Sequence, residues 1–285
     1  MENDINLHWY PGHMTKARRM MEEQIKLVDL IVEILDARIP ISSRNPMLEE
    51  LGKGKDRLII LNKKDLVLLE EIEKFEEYYK SLGYVVASLE SKKKSGLNAL
   101  SAKIEEAAVK KRERDKKRGI LNRPIRAMIV GIPNVGKSTI INMLAGRNVA
   151  STGNKPGVTR GQQWIRLNKN VELLDTPGVL WPKFEDKKVG INLALTGAIK
   201  EDIIPTLDLA AYGIDHFFDI FNREINSALD VSEKYNSPYD YLNIIGQKRG
   251  MLKKGGEIDI NQAALSFLEE FRNGKLGRCI LDKID

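Results

Sequence analysis

The sequence predicts an α/β fold: a mostly parallel sheet with helices on both faces, followed by a small helical domain. Three observations carry this. Across residues 1–182, short runs rich in Val, Ile and Leu alternate with amphipathic helical stretches, the pattern of a sheet buried on both sides. One such run, Ile125 to Val130, passes straight into Gly131-Ile132-Pro133-Asn134-Val135-Gly136-Lys137-Ser138 and then into a helical pattern from Thr139 to Leu144. Across residues 188–285 the patterns are helical throughout. A length of 285 residues fits two domains at ~150 residues each.

The elements follow in order. Residues 7–20 place aromatics beside Pro11-Gly12, then begin a basic helix with Thr15 as its expected N-cap. Asp29 to Asp36 reads as a buried strand and Asn45 to Leu51 as a short helix. Arg57 to Leu61 is a second strand, Glu70 to Leu82 an amphipathic helix, and Tyr84 to Ala87 a third strand ending at Ser88. Lys92 to Ser95 is a basic loop, and Leu97 to Val109 a helix. Seven of the nine residues from Lys110 to Arg118 are basic; the run reads either as a solvated face or as a surface for nucleic-acid phosphates. After the glycine-rich loop and its helix, Ala150 to Arg160 is rich in Gly, Pro and Thr. Gln162 to Leu167 and Val171 to Leu174 form a hairpin turning at Asn168-Lys169-Asn170. In the second domain, helices over Val189–Ile199, Ala210–Phe221, Tyr239–Arg249 and Gln262–Arg272 are separated at Pro205, Ser237-Pro238 and Gly255-Gly256. Lys248, Arg249, Lys253 and Lys254 cluster between the last two, as a solvated turn or as an RNA contact.

Composition narrows the functional classes. Apolar residues make up 42% of the chain and charged residues 30%, enough for a packed core. A net charge of +6 and a pI near 9.1 suit a polyanionic partner and equally an ordinary basic surface. The single cysteine, Cys279, excludes a disulfide framework and fits a reducing cytosol. Three scattered histidines do not make a metal cluster. No apolar run reaches the ~18 residues of a membrane span. Glu2 and Asp4 sit where a signal or transit peptide would be basic or apolar, so a cytoplasmic location is expected.

The residues that carry chemistry are of two kinds. In G-x-x-x-x-G-K-S between a strand and a helix, the glycines let successive backbone N–H groups curl toward an anion at a helix N-terminus, which makes Asn134, Val135, Gly136 and Thr139 candidate nucleotide-binding residues. Lys137 reaches β- and γ-phosphates, and the Ser138 hydroxyl is a ligand for Mg²⁺. Asn62-Lys63-Lys64-Asp65, N-K-x-D, follows a strand at the edge where open α/β sheets bind ligands. A carboxylate at Asp65 accepts two hydrogen bonds from the N1–H and amino edge of guanine; adenine lacks that donor pair, so an ATPase is disfavoured. The Lys63 stem would lie over the base while its head braces the phosphate loop. Each motif alone also occurs in plain turns; together they exclude that reading. Thr159, in Pro156-Gly157-Val158-Thr159-Arg160, suits a switch that orders on Mg²⁺ and the γ-phosphate. Asp175-Thr176-Pro177-Gly178 would add Asp175 to the Mg²⁺ shell and the Gly178 N–H to the γ-phosphate.

This set resembles the translation-factor-like GTPases, but in permuted order: N-K-x-D and a serine loop at Ser88 precede the phosphate loop. With Trp9-Tyr10-Pro11-Gly12-His13-Met14 and Asp36-Ala37-Arg38-Ile39-Pro40, the chain resembles the bacterial ribosome biogenesis GTPase A family. The resemblance is tight over residues 7–180 and looser beyond. It implies a circularly permuted P-loop GTPase domain over 1–182 and a helical RNA- or ribosome-binding domain over 188–285. It further implies GTP or GDP and Mg²⁺ as ligands, and a partner in the precursor of the large ribosomal subunit and its rRNA. Neither DNA nor a membrane is an expected partner, and a monomer is expected. The family's serine loop often continues Ser-Ala and then Gly, whereas here Ser88-Leu89-Glu90 fills the slot. Val179 stands where Ras-like GTPases carry a water-orienting glutamine, and the resemblance offers His13 as the hydrolysis aid. Asn134 matches the residue with which potassium-dependent members hold K⁺. The D-x-x-G segment also runs directly into the second domain, so a movement at Gly178 would move that domain. Two rivals stand beside this reading: a GTP-dependent protein switch with no RNA role, and a nucleotide-binding scaffold that scarcely hydrolyses.

Overall fold

The computed structural model describes residues 14–91, 96–120, 123–146, 163–176, 186–199, 204–216 and 237–284. Those within Tyr10–Phe184 and Ile280–Asp285 form one compact unit, and those within Glu185–Cys279 another.

The first unit is built on six strands: β1 (Leu30–Asp36), β2 (Asp56–Asn62), β3 (Val85–Leu89), β4 (Ile125–Gly131), β5 (Gln163–Arg166) and β6 (Val171–Asp175). Their order across the sheet is β3-β2-β1-β4-β6-β5; only β5, paired to β6, runs antiparallel. The β5–β6 turn is closed by Asn168, whose side-chain oxygen accepts from the N–H groups of Asn170 (2.7 Å) and Val171 (3.0 Å). Every residue of β1 is buried, as a central strand covered on both faces requires.

Register assigns those faces. Ile31 pairs with Arg57 and Met128, and Leu35 with Leu61, so these positions share a side. That side is covered by α1 (Met14–Leu27), α2 (Pro46–Leu51) and α3 (Leu69–Ser81). Met21 and Ile25 of α1, with Leu48 of α2, pack on Ile31, Met128 and Leu174. Ile72, Phe75 and Tyr79 of α3 pack on Leu35, Ile59, Leu61 and Val86. The other side, with Val32, Ile34, Leu58, Ile60, Ala127 and Ile129 fully buried, lies under α4 (Leu97–Ala107) and α6 (Lys137–Ala145). α5 (Val109–Lys117) follows α4 after a break at Ala108.

Three sequence expectations change here. α1 begins at Met14, so Thr15 lies inside it and not at its cap. The helix expected to end at Val109 ends at Ala107, and the basic run forms a helix of its own. The third expected change is at the domain boundary: residues 280–284 do not join the helical unit but return to the first one. Leu281 is buried and its N–H donates to the Arg38 carbonyl at 2.7 Å. Asp282 accepts from the backbone N–H groups of Ile41 (2.7 Å) and Ser42 (2.8 Å) and from the Ser42 hydroxyl (2.5 Å). An apolar pair, Ile280 and Leu281, followed by a carboxylate that satisfies two loop N–H groups explains the return.

The described part of the second unit is helical: α7 (Lys187–Leu195), α8 (206–216), α9 (Pro238–Lys248) and α10 (Ile260–Arg272). Local chemistry sets the helix starts. Asp186, Ser237 and Asp259 each cap a following N–H, and Pro238 occupies the first turn of α9. Tyr241, Leu242 and Ile245 of α9 and Ala263, Phe267 and Phe271 of α10 are buried. Arg272 donates to the carbonyls of Ala194 (3.0 Å) and Leu195 (3.1 Å), satisfying the end of α7. Within the basic cluster of the sequence, Arg249 faces inward, forming a two-point ion pair with Glu270.

Candidate functional site

The strand order reverses between β1 and β4, and ligands bind in such sheets beyond the carboxyl ends of the strands at that point. The sequence motifs converge there. β4 ends in the phosphate loop, β2 in N-K-x-D, β1 in Asp36 and β6 in Asp175.

The phosphate loop has the backbone that its sequence requires. Asn134 and Gly136 both take positive φ, 59° and 98°. A Cβ at Gly136 would lie 2.3 Å from the Asn62 amide nitrogen, so only glycine fits. That closeness reflects a junction. Asn62, fully buried, donates from Nδ2 to the Val135 carbonyl (2.7 Å) and to the Ser91 hydroxyl (3.1 Å). Its Oδ1 accepts from the Ser91 N–H at 3.1 Å. One side chain thus ties three segments: the phosphate loop, N-K-x-D and the segment after β3.

The sequence points to Ser88 as the loop serine, whereas the structure places Ser91 against Asn62. β3 extends to Leu89, and Ser88 pairs in register with Leu61 inside the strand. Ser88 instead lines, with Lys64 and Lys103, a groove of about 590 Å³ beside α3 and α4. Ser91 is the serine that meets Asn62. The signal that would have found it is the strand's length: Leu89 is buried opposite Asn62, which sets the loop one step later.

Lys63 lies in the left-handed region, φ 65°. Its ammonium donates to Asp36 Oδ2 at 2.9 Å, an acceptor on β1. Asp36 also accepts from the Arg38 N–H (3.1 Å), Nε (3.0 Å) and Nη2 (2.8 Å). Burial pushes the Asp36 carboxyl up, but Arg38 and Lys63 outweigh it and hold it well below the usual carboxylate range. Lys64 and Asp65 sit on the 3₁₀ turn Lys64–Leu66, where Asp65 is partly exposed.

At the phosphate end, Lys137 is buried on the first turn of α6 and its ammonium donates to Asp175 Oδ1 at 2.6 Å and to the Thr176 carbonyl. The Thr176 hydroxyl donates to the Ile129 carbonyl at 2.6 Å, fixing the end of β6 against β4. Ser138 and Thr139, next on α6, are partly exposed. The structure therefore brings together Asn62, Val135, Gly136, Lys137 and Asp175. His13, Thr159, Gly178 and Val179 lie outside the described residues. Among the described residues, no group of three or more His, Cys, Asp and Glu could hold a metal alone.

A family model described as 50S ribosome-binding GTPase matches residues 126–241. A ribosome biogenesis GTPase A of Bacillus cereus is 43% identical over 272 residues, 95% of this chain and 92% of its own. Its counterpart in Thermotoga maritima is 32% identical over 277 residues, 97% and 94% of the two chains. GNP-bound YlqF from Thermotoga maritima, a solved structure, aligns with a TM-score of 0.68 at 28% identity, covering 94% of this chain and 98% of that one. A GDP-bound YlqF structure also gives a TM-score of 0.68. With identity at this level along nearly the whole of both chains, and a shared fold, the chain belongs to the ribosome biogenesis GTPase A family.

Proposed function

We propose that this protein is a Mg²⁺-dependent GTPase whose nucleotide state governs its binding to a precursor of the large ribosomal subunit and to the rRNA within it. The observation that carries the guanine half is the Asn62 junction: it joins the base-reading motif to the phosphate loop through a 2.7 Å bond to Val135. The ribosomal half is carried by what the curated relatives are named for, ribosome biogenesis.

In this reading Asp65 pairs with the guanine edge, and Lys63 and the Asn62 junction shape the pocket. The N–H groups of Asn134, Val135, Gly136 and Thr139 cradle the phosphates, and Lys137 neutralises their developing charge. Mg²⁺, when bound, would be held by Ser138, Thr159 and Asp175 and would neutralise charge on the phosphate oxygens. The Gly178 N–H would meet the γ-phosphate. K⁺ would lie beside Asn134. Val179 cannot orient water, so His13 would supply that function, with slow turnover until a particle holds the N-terminal segment in place.

GTP hydrolysis, measured at fixed Mg²⁺ in K⁺ buffer with and without purified large ribosomal subunits, tests this. Strong stimulation by the subunits is the expected outcome, lost in His13→Ala. No stimulation and no nucleotide-dependent cosedimentation would overturn the ribosomal reading. One observation favours the rival protein switch: Lys111, Arg112 and Arg114 of the basic helix are held in ion pairs with Asp115, Glu105 and Asp56. A steep fall of rRNA affinity with salt separates the two readings, because it counts released phosphate counterions.

A further inference from the structure

We propose that Asp36 is a positioning residue for guanine-nucleotide binding, acting through Lys63, with Arg38 holding Asp36 in place. The proposal rests on the reading of N-K-x-D as the guanine site. Its basis is a chain of contacts on neighbouring strands.

Asp36 and Asn62 are register partners at the ends of β1 and β2, so Lys63 leaves β2 directly beside the Asp36 carboxylate. Lys63 starts from a left-handed backbone, φ 65°, which non-glycine residues adopt at a cost unless neighbours fix it. Its ammonium has the 2.9 Å bond to Asp36 Oδ2 as that fixing point. Asp36 has no freedom to follow a mobile lysine. Its side chain is 2% exposed, and the Arg38 guanidinium, also 2% exposed, grips both carboxylate oxygens. Arg38 is anchored in turn, since its carbonyl accepts from the Leu281 N–H.

The physical consequence is preorganisation. A lysine side chain carries roughly 2 kcal/mol of rotamer entropy. A stem that lies over a base must be ordered at binding or before it. An ammonium already seated on a buried carboxylate shifts that ordering to folding, so the nucleotide meets a lysine in place. Asp36 touches no nucleotide in this scheme; its effect exists only through Lys63.

A double-mutant cycle on the full chain reads this dependence, with titration of a fluorescent GDP analogue as the signal. Lys63→Met keeps the stem and removes the ammonium; Asp36→Asn keeps the shape and removes the charge. Each single variant is expected to weaken binding about tenfold, the scale of one charge-assisted contact. The double variant is expected to be no weaker than the weaker single. A plain structural role for Asp36 predicts instead that the two losses multiply, and that result, or wild-type affinity in Asp36→Asn, overturns the proposal. If Asp36→Asn does not fold, Arg38→Lys enters the cycle in its place, since it keeps the charge and gives up the two-oxygen grip. Asp65→Ala separates this proposal from the guanine reading beneath it: unchanged affinity in that variant would remove the guanine site itself.

Discussion

Ser91 and Ser88 lie three positions apart and have different partners. The Ser91 hydroxyl accepts from Asn62, while Ser88 sits within β3. Ser91→Ala is expected to weaken GDP binding about fivefold, the effect of ~1 kcal/mol for one neutral hydrogen bond, and Ser88→Ala to leave it within about twofold. Titration with a fluorescent GDP analogue checks both. Motif spacing made it legible from sequence that Asn62, Lys137 and Asp175 stand at one edge of the sheet, because backbone geometry fixes where such residues lie. The contact of Ser91 with Asn62 was not legible, because Val85-Val86-Ala87-Ser88-Leu89 gives no sign of where its strand stops. Nor was the acceptor for Lys63, which depends on the register of β1 against β2. Asp36 also carries a pH signature. Its folded carboxyl titrates below the usual range, so the unfolded chain binds the proton more tightly. The stabilisation is fully present above the ordinary carboxylate range, ~4, and is lost as pH falls below it. Urea unfolding of wild type and Asp36→Asn should therefore differ most above about pH 5 and converge in acid.

At the scale of elements, the sheet and most helices were readable because both periodicities are clean. The basic run was the exception. Its composition suggests a free polycationic surface, but as α5 it turns Lys111 and Arg112 toward the unit, where they pair with Asp115 and Glu105. Lys110, Lys116, Lys117 and Arg118 remain exposed. Counting charges along a sequence overstates what a helix offers to phosphate, because helical spacing divides the run between two faces. The returning segment 280–284 was equally hidden: a short apolar pair and an aspartate have no periodicity to read. Asp282→Ala removes three contacts to Ile41 and Ser42. It is expected to destabilise the nucleotide-binding unit by about 1–3 kcal/mol, measured by urea unfolding monitored in that unit.

On the scale of the whole molecule, permutation and the returning segment act together. The chain leaves the nucleotide-binding unit after β6, builds the helical unit, and comes back to the loop that follows β1. That loop carries Arg38, and Arg38 holds Asp36. The contact between Ile41 and Asp282 joins residues 241 positions apart. During synthesis, β1, β2 and the phosphate loop are all made before the segment that secures Arg38. A nascent chain can therefore assemble the sheet early, as units tend to fold once they emerge. The contact between Leu281 and Arg38 must wait until the helical unit has been translated, and it then closes across a long loop, with the entropy that such a closure costs. Newly made protein would acquire its fold first and its full grip on nucleotide afterwards.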